Sequence, residues 1–182
     1  MPNEENSSIW IYNLFKDYTI EEIPKDEFFL KSGEKGNKIG YIKKGLFKVR
    51  RKIGEKEIIK DFCLENDFLG SYGSILTGDS LYYDIIALED SEVFVGNINK
   101  VLESHKDTIE YLKFSKYFLE SVYLEKEARE SDFLIFSTEE KYSKFLENNK
   151  KNIHRISKED VAAYLGITVS SLLRLDRRIN QK

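Results

Sequence analysis

Cysteine is almost absent from this sequence, and so are long apolar runs. The 182 residues include one cysteine, Cys63, which excludes an internal disulfide bond and favours a reducing compartment. No apolar run approaches the roughly 18 residues that a membrane-spanning helix needs. The polar, acidic stretch of residues 1–8 does not resemble a signal peptide. These absences predict a soluble, cytoplasmic protein with no membrane partner.

Glycine and proline are absent between residues 99 and 132, and this absence predicts one long helix there. Its apolar residues recur at three- and four-residue steps along two stripes. The first stripe comprises Tyr111, Phe114, Phe118 and Val122, and the second comprises Leu112, Leu119 and Tyr123. Two apolar stripes need two burial partners. We favour pairing with a second copy of the chain over complete burial within one copy, and we expect an apolar hinge at residues 133–136.

Short β-rich runs separated by turn residues occupy residues 27–97. They fall at residues 27–30, 38–43, 46–51, 57–63, 68–72, 81–88 and 92–97. Strands recurring about every ten residues predict an antiparallel sandwich or jelly roll. Residues 9–22 have helical spacing and predict a short amphipathic helix. We expect an α+β chain with a strand-rich domain at 1–98, a dimerisation helix and hinge at 99–136, and a helical domain at 137–182.

Histidine is too scarce for the metal chemistry of jelly-roll enzymes. The two histidines, His105 and His154, are 49 residues apart, and neither lies in the strand-rich region. A three-ligand metal site is therefore hard to build. No Ser–His–Asp or Cys–His pattern and no phosphate-binding glycine loop stands out. We expect neither an enzymatic activity nor a cofactor.

Positive charge is concentrated at the C-terminal end. The whole chain has a net charge of −3, but residues 150–182 carry eight Lys or Arg and three Asp or Glu. That segment has a charge of +5, and the rest of the chain has −8. A basic segment on an acidic body suits a DNA-reading module. A charged, solvated helix is the alternative interpretation.

Capping residues predict the helices of this basic end. Ser137 with Glu140 forms a capping box for a helix that runs to about Asn148. Residues 149–156 are expected to form a link or a short strand. Ser157 with Asp160 should cap a helix at 158–165, which Gly166 ends, and Thr168 should cap a second helix from 169 to about 180.

The apolar pattern of these two helices fits a helix-turn-helix. The residues expected to be buried are Val161, Ala162, Leu165, Ile167, Leu172, Leu175 and Ile179. The face left for DNA comprises Thr168, Val169, Ser170, Leu173, Arg174 and Arg177. Arg174 could bind a guanine edge and Leu173 could touch a thymine methyl group. The hydroxyls of Thr168 and Ser170 could hold a phosphate. An ordinary helical hairpin is the alternative interpretation.

Three segments together resemble the Crp/Fnr family of bacterial regulators. Residues 29–33 and 42–49 are similar to the glycine-punctuated strands of the cyclic-nucleotide-binding jelly roll. Residues 65–70 resemble the entry to that family's phosphate-binding cassette, and residues 156–179 resemble its helix-turn-helix. The resemblance implies a homodimer on a near-palindromic double-stranded operator, with RNA polymerase as a candidate further partner. Relatives often add a β-hairpin wing, and the sequence ends at Lys182, so we expect modest DNA affinity.

The cassette departs from the family pattern where nucleotide-binding relatives hold the ligand. Those relatives place a glutamate after the glycine and an arginine about ten residues later, whereas Ser71 follows Gly70 and no Lys or Arg occurs between Lys60 and Lys100. A buried phosphate without a cation is costly, so we expect no binding of cyclic AMP in the usual way. Gly70, Ser71, Tyr72, Tyr82 and Tyr83 are candidates for lining a pocket for an aromatic or neutral ligand. We favour the alternative that the tyrosines fill the barrel core, and a regulator without a ligand is a third option.

Overall fold

The computed structural model describes residues 18–97 and 109–179. The strands in these ranges are β1 (Thr19–Ile23), β2 (Phe28–Leu30), β3 (Lys38–Lys44), β4 (Phe47–Ile53), β5 (Lys56–Cys63), β6 (Phe68–Leu69), β7 (Asp84–Ala87) and β8 (Ser91–Asn97). The helices are α1 (Tyr72–Thr77), α2 (Ile109–Ile135), α3 (Thr138–Asn148), α4 (Lys158–Leu165) and α5 (Val169–Ile179), with a 3₁₀ turn at Ile153–Arg155.

The eight strands form two four-stranded sheets. One sheet has the order β1-β8-β3-β6 and the other has the order β2-β7-β4-β5. The register of β1 on β8 runs antiparallel from Thr19 opposite Val95 to Ile23 opposite Ser91. Buried side chains from both sheets form one core, comprising Ile23, Phe29, Leu30, Ile42, Phe47, Leu69, Leu81, Ile85, Ala87, Val93 and Val95. This arrangement confirms the predicted α+β chain with an antiparallel jelly roll.

The burial of each strand follows its place in the sheets. β7 lies between β2 and β4, and all four of its residues are buried. β8 alternates, with Ser91, Val93 and Val95 buried and the intervening residues half-buried, as expected for a strand with one face on the core. Gly40 on β3 has no room for a side chain, because a β-carbon there would lie 2.7 Å from both the Phe29 ring and the Val93 methyl group. Side chains that alternate along a strand therefore pack closely on the core of the jelly roll.

The turn between β3 and β4 depends on Gly45. This residue has a φ of +125°, and a β-carbon on it would collide with the side chain of Ser91. Its backbone N–H donates to Glu65 Oε1 at 2.9 Å. Gly45 thus combines a backbone conformation that favours glycine with a contact that only glycine allows.

Two local predictions were wrong, and a third left two options open. Residues 19–22 of the predicted first helix form strand β1, because they pair with β8; residues 9–17 lie outside the described part of the chain. Only Phe68–Leu69 of the run 68–72 is a strand, because the Ser71 side chain accepts the Ser74 N–H and starts α1, which Gly78 ends in the left-handed conformation. Residues 149–156 form turns and the 3₁₀ segment, which agrees with the predicted link and not with the alternative of a short strand.

The chain divides into two compact units. Among the described residues, the first unit comprises those up to Arg51 and those from Lys60 to Phe114. The second comprises Lys52–Ile59 and the residues from Ser115 onward. Within the second unit, α2 continues to Ile135, so residues 133–135 of the predicted hinge are helical. Phe136 still donates its N–H to Asp132 O at 3.1 Å, because the helical hydrogen bonding continues to that point. The break in the helix is therefore confined to Phe136 and Ser137.

Helix α2 exposes much of its apolar surface. The side chains of Tyr111, Phe114 and Phe118 lie outside what the structure describes, and Val122 is half-buried. The second predicted stripe, Leu112, Leu119 and Tyr123, is exposed in the single chain. These three side chains therefore remain open to solvent in the described part of the chain. In the described ranges, no helix is long and apolar enough to cross a membrane.

Candidate nucleic-acid interface

Helices α3, α4 and α5 begin at the predicted caps. Ser137 and Glu140 form a reciprocal capping box at α3. The Ser157 side chain accepts the Asp160 N–H at 3.0 Å at the start of α4. Gly166 then adopts a left-handed conformation with φ 71° and ψ 27°, which lets the chain turn tightly into α5. Thr168 Oγ1 accepts the Ser171 N–H at 3.2 Å and so caps α5.

The three helices pack on a small apolar core. Val161, Ala162 and Leu172 are buried, as predicted, with Leu172 only 1 % exposed. The remaining predicted core residues of these two helices are half-buried, namely Leu165, Ile167, Leu175 and Ile179. The ring of Phe145 on α3 lies 5.0 Å from that of Tyr164 on α4. This core fixes which side of α5 faces inward.

The predicted DNA-facing side of α5 is largely open to solvent. Thr168, Ser170, Arg174 and Arg177 are exposed, whereas Val169 and Leu173 are half-buried. Arg178, which the sequence pattern did not single out, is also exposed. The outer face of α5 therefore presents hydroxyl groups at its N-terminal end and guanidinium groups further along.

Ser171 is a residue of this face that sequence reasoning missed. Arg174 Nη2 donates to Ser171 Oγ at 3.1 Å, and Ser171 Oγ lies 3.0 Å from Thr168 Oγ1. The three side chains thus form a chain of polar contacts along the first two turns of the helix. Their three-residue spacing places them on one side of a helix, so the sequence did contain this signal. The contact restricts the side-chain rotamers of Arg174.

A carboxylate on the inner side of α5 joins all three helices. Asp176 Oδ1 accepts a hydrogen bond from the buried hydroxyl of Tyr142 on α3 at 2.9 Å. Asp176 Oδ2 accepts one from Lys158 Nζ on α4 at 2.8 Å. The hydrogen bond from Lys158 is the main reason that the pKa of Asp176 is lowered. Asp176 is therefore an ionised link between α5 and both neighbouring helices.

This link predicts a dependence of stability on alkaline pH. Burial, and then the hydrogen bond to Asp176 and its charge, raise the pKa of Tyr142 from 10.0 to about 12. The folded state therefore favours neutral Tyr142, and this stabilisation is present below pH 10 and lost as the pH rises to 12. Chemical unfolding at a series of pH values should show a shallower decline for Tyr142→Phe than for wild type. Tyr123→Phe, which removes the hydroxyl of an exposed tyrosine, is the control, and an equal decline in all three proteins would contradict the assignment.

The candidate ligand residues of the barrel do not fill its core. Tyr82 is 62 % exposed and Tyr72 is also exposed, so the favoured prediction for these tyrosines was wrong. The rings of Tyr82 and Tyr83 lie 5.7 Å apart in an edge arrangement. The guanidinium carbon of Arg51 lies 3.5 Å from the centre of the Tyr82 ring.

Positively charged side chains from strands outside the cassette also lie beside Tyr82 and Tyr83. Lys60 Nζ lies 4.9 Å from the centre of the Tyr83 ring, and Arg51 and Lys60 belong to the adjacent strands β4 and β5. Leu81, in the stretch where relatives carry an arginine, is instead buried in the barrel core. Gly70 and Ser71 lie just before α1, where the Ser71 hydroxyl is used as its cap. No cluster of metal-ligating side chains occurs in residues 18–97 or 109–179.

Comparisons with known proteins identify the fold. Residues 20–107 match the family model of the cyclic nucleotide-binding domain. No curated protein matches this chain. Among solved structures, FixK2 from Bradyrhizobium japonicum matches with a TM-score of 0.77 and 17% identity, over 90% of this chain and 85% of that chain.

Two further structures match over nearly the whole chain. The c-di-GMP responsive global regulator CLP of Xanthomonas campestris has a TM-score of 0.75 and 12% identity, over 96% of this chain and 92% of that one. A protein from Eubacterium rectale, described as a transcriptional regulator of the crp/fnr family, has a TM-score of 0.70 and 14% identity, over 98% and 84% of the two chains. The chain thus has a cyclic nucleotide-binding fold followed by C-terminal helices, in an architecture similar to that of Crp/Fnr regulators.

Proposed function

We propose that this chain is a sequence-specific DNA-binding transcription regulator that acts as a cytoplasmic homodimer. In this proposal α4, the turn at Gly166 and α5 form a helix-turn-helix, and α5 enters the major groove of double-stranded DNA. The observation that carries the proposal is the exposed Arg174, held by Ser171 on a helix whose opposite side is anchored by Leu172. RNA polymerase is a candidate further partner.

The chemistry of the exposed face supports this assignment. The capped N-terminus of α5 presents Thr168 and Ser170, whose hydroxyls suit phosphate contacts at a helix N-terminus. Arg174 lies one turn further along, where a guanidinium can bind both acceptors of a guanine. Arg177 adds positive charge near the end of the helix, which suits the phosphate backbone. The half-buried Leu173 and Val169 offer apolar edges for thymine methyl groups.

The homodimer is supported by the exposed apolar residues of α2. In addition to the stripe of Leu112, Leu119 and Tyr123, the large apolar residues at the end of α2, Phe133, Leu134 and Ile135, are more than 70 % exposed. Apolar patches of this kind mark interaction surfaces. Two chains paired along α2 would present two copies of α5, and two-fold symmetry predicts a near-palindromic target. The functional division is then a sensor at 1–98, a dimerisation segment at 99–136 and a DNA-binding segment at 137–182.

Selection of DNA from a random-sequence pool tests this function directly. The wild-type protein should enrich a near-palindromic motif. Arg174→Ala should weaken binding of the enriched duplex by about 1–3 kcal/mol and broaden the base preference at one position of each half-site. Fluorescence anisotropy at a fixed salt concentration measures both effects. Equal affinity of wild type and Arg174→Ala for the enriched duplex would reject the role of Arg174.

Arg177→Ala is the matched control for this experiment. It removes the same charge from the same helix, and it should weaken binding of the enriched and a scrambled duplex by similar factors. Failure of the wild-type protein to enrich any motif would reject the proposed function as a whole.

A small-molecule sensor without DNA binding is the second candidate function. The observation that favours it is the pair of tyrosines Tyr82 and Tyr83. Arg51 and Lys60 lie over Tyr82 and Tyr83, which is a combination of charge and aromatic surface that a ligand could use. The pair lies at the surface and Leu81 is buried, so we expect no cyclic AMP binding in the usual way. Calorimetric titration with cyclic AMP should show no heat of binding, and micromolar affinity would contradict this expectation.

A further inference from the structure

Asp176 stands out because it is the one acidic residue of α5. The helix sequence from Val169 to Ile179 contains Arg174, Arg177 and Arg178 beside this carboxylate. A negative charge on a DNA-reading helix repels phosphates, so charge alone gives no reason for it. We propose that Asp176 is a positioning residue that sets the angle at which α5 presents Arg174 to DNA. This inference rests on the proposed DNA-binding function.

The place of Asp176 on the helix supports a positioning role. Asp176 follows Leu172 by four residues, so both lie on the same, inward side of α5. Arg174 is two residues from Asp176, which is about 200° around the helix and therefore on the opposite side. Leu172 anchors the N-terminal half of α5 by burial, and Asp176 anchors its C-terminal half by two hydrogen bonds. Two anchors one turn apart fix the direction of a short helix, whereas one anchor lets it pivot.

The partners of Asp176 make this anchor directional. Tyr142 comes from α3 and is 5 % exposed, so its hydroxyl is held by the core. Lys158 comes from the first turn of α4 and approaches the other carboxylate oxygen. Each oxygen is thus committed to a different helix, and α5 cannot rotate about its axis without breaking one of the two contacts. Lys158 also offsets the negative charge that Asp176 places on the DNA-binding helix.

For Asp176→Asn, the change in charge and the loss of a positioning contact predict opposite changes in affinity for the enriched duplex. The substitution removes one negative charge from the DNA-binding unit, so affinity for a scrambled duplex should stay the same or rise. If Asp176 positions Arg174, the ratio of affinities for the enriched and the scrambled duplex should fall by about 5- to 150-fold, which is the discrimination that one bidentate arginine contributes. Lys158→Met changes the charge in the other direction and should lower the same ratio. Glu147→Gln, on an exposed position of α3, is the control with the same charge change as Asp176→Asn.

Hydrogen exchange separates this inference from the proposed function. In full-length Asp176→Asn, the amides of α5 should exchange about tenfold faster than in wild type, because a hydrogen-bonded charge pair is lost. The jelly-roll amides should be unaffected. Unchanged hydrogen exchange in α5 of Asp176→Asn would overturn the positioning role, whatever the DNA-binding result. The role would also be overturned if Asp176→Asn and Glu147→Gln had the same ratio of affinities for the enriched and the scrambled duplex. Faster exchange in a protein that enriches no DNA motif would retain Asp176 as an anchor of α5 but reject both the DNA-binding function and its role toward DNA.

Discussion

Gly45→Ala is expected to lower the free energy of unfolding of the jelly roll by about 2–6 kcal/mol. Backbone strain at a φ of +125° contributes about 1–3 kcal/mol. Overpacking of the new methyl group against Ser91 contributes about 1–3 kcal/mol more. The whole stability of a domain of this kind is about 5–15 kcal/mol, so this one methyl group removes a large part of it. Guanidinium unfolding of the full chain measures the change.

The barrel offers a matched control for this substitution. Gly54 also has a positive φ, +61°, but a β-carbon there would meet no atom within 4 Å. Gly54→Ala should therefore cost only the conformational strain, about 1–2 kcal/mol. The double variant Gly45→Ala/Ser91→Gly should recover part of the loss, because it removes the colliding side chain. Equal costs at Gly45 and Gly54 would show that the contact with Ser91 is unimportant.

Leu172→Ala is expected to destabilise the C-terminal helices by about 2–5 kcal/mol. Leu172 is 1 % exposed, and removing a fully buried leucine side chain leaves a cavity in addition to the lost transfer free energy. Because Leu172 is the buried residue of α5, the loss should appear first as faster amide hydrogen exchange in that helix. DNA affinity should fall with it, since a frayed α5 no longer holds Arg174.

The neighbouring residue provides the comparison for Leu172. Leu173 is half-buried on the other side of the helix, and Leu173→Ala removes the same number of atoms. Its effect on α5 exchange should be clearly smaller, because the site is open to water and leaves no closed cavity. A larger effect at Leu173 than at Leu172 would mean that the inward side of α5 has been wrongly assigned.

Local signals made the C-terminal helices predictable. The capping hydrogen bonds of Ser157, Gly166 and Thr168 each reach a residue only three or four positions away. The structure confirms each of these helix boundaries. The strand pattern was predictable for a similar reason, because alternation is a property of consecutive residues. Helix α1 was missed because six residues are too few to show helical periodicity, and only the cap at Ser71 starts it.

Long-range contacts set the limit of prediction from the sequence. Tyr142 and Asp176 are 34 residues apart, and nothing in either local sequence indicates their hydrogen bond. The misassigned strand β1 is similar, since residues 19–23 are strands only because they pair with residues 91–95. The surface position of Tyr82 and the burial of Leu81 also depend on tertiary packing. The outward position of Arg174 was predictable, but its partner Ser171 was overlooked although the three-residue spacing was present.

The burial of Leu81 restricts how a nucleotide response could be engineered into this barrel. Leu81→Arg would insert a guanidinium group into the apolar core of the jelly roll, at a desolvation cost. The buried acid nearby in the sequence, Asp84, already pairs with Arg50 and accepts the Ser32 N–H. Arginine at position 82 would instead extend into water, because that position is on the surface. Neither single change creates an enclosed cationic site. If the chain binds no cyclic AMP, as proposed above, an enclosed cationic site would need changes in the backbone between α1 and β7 as well as in its side chains.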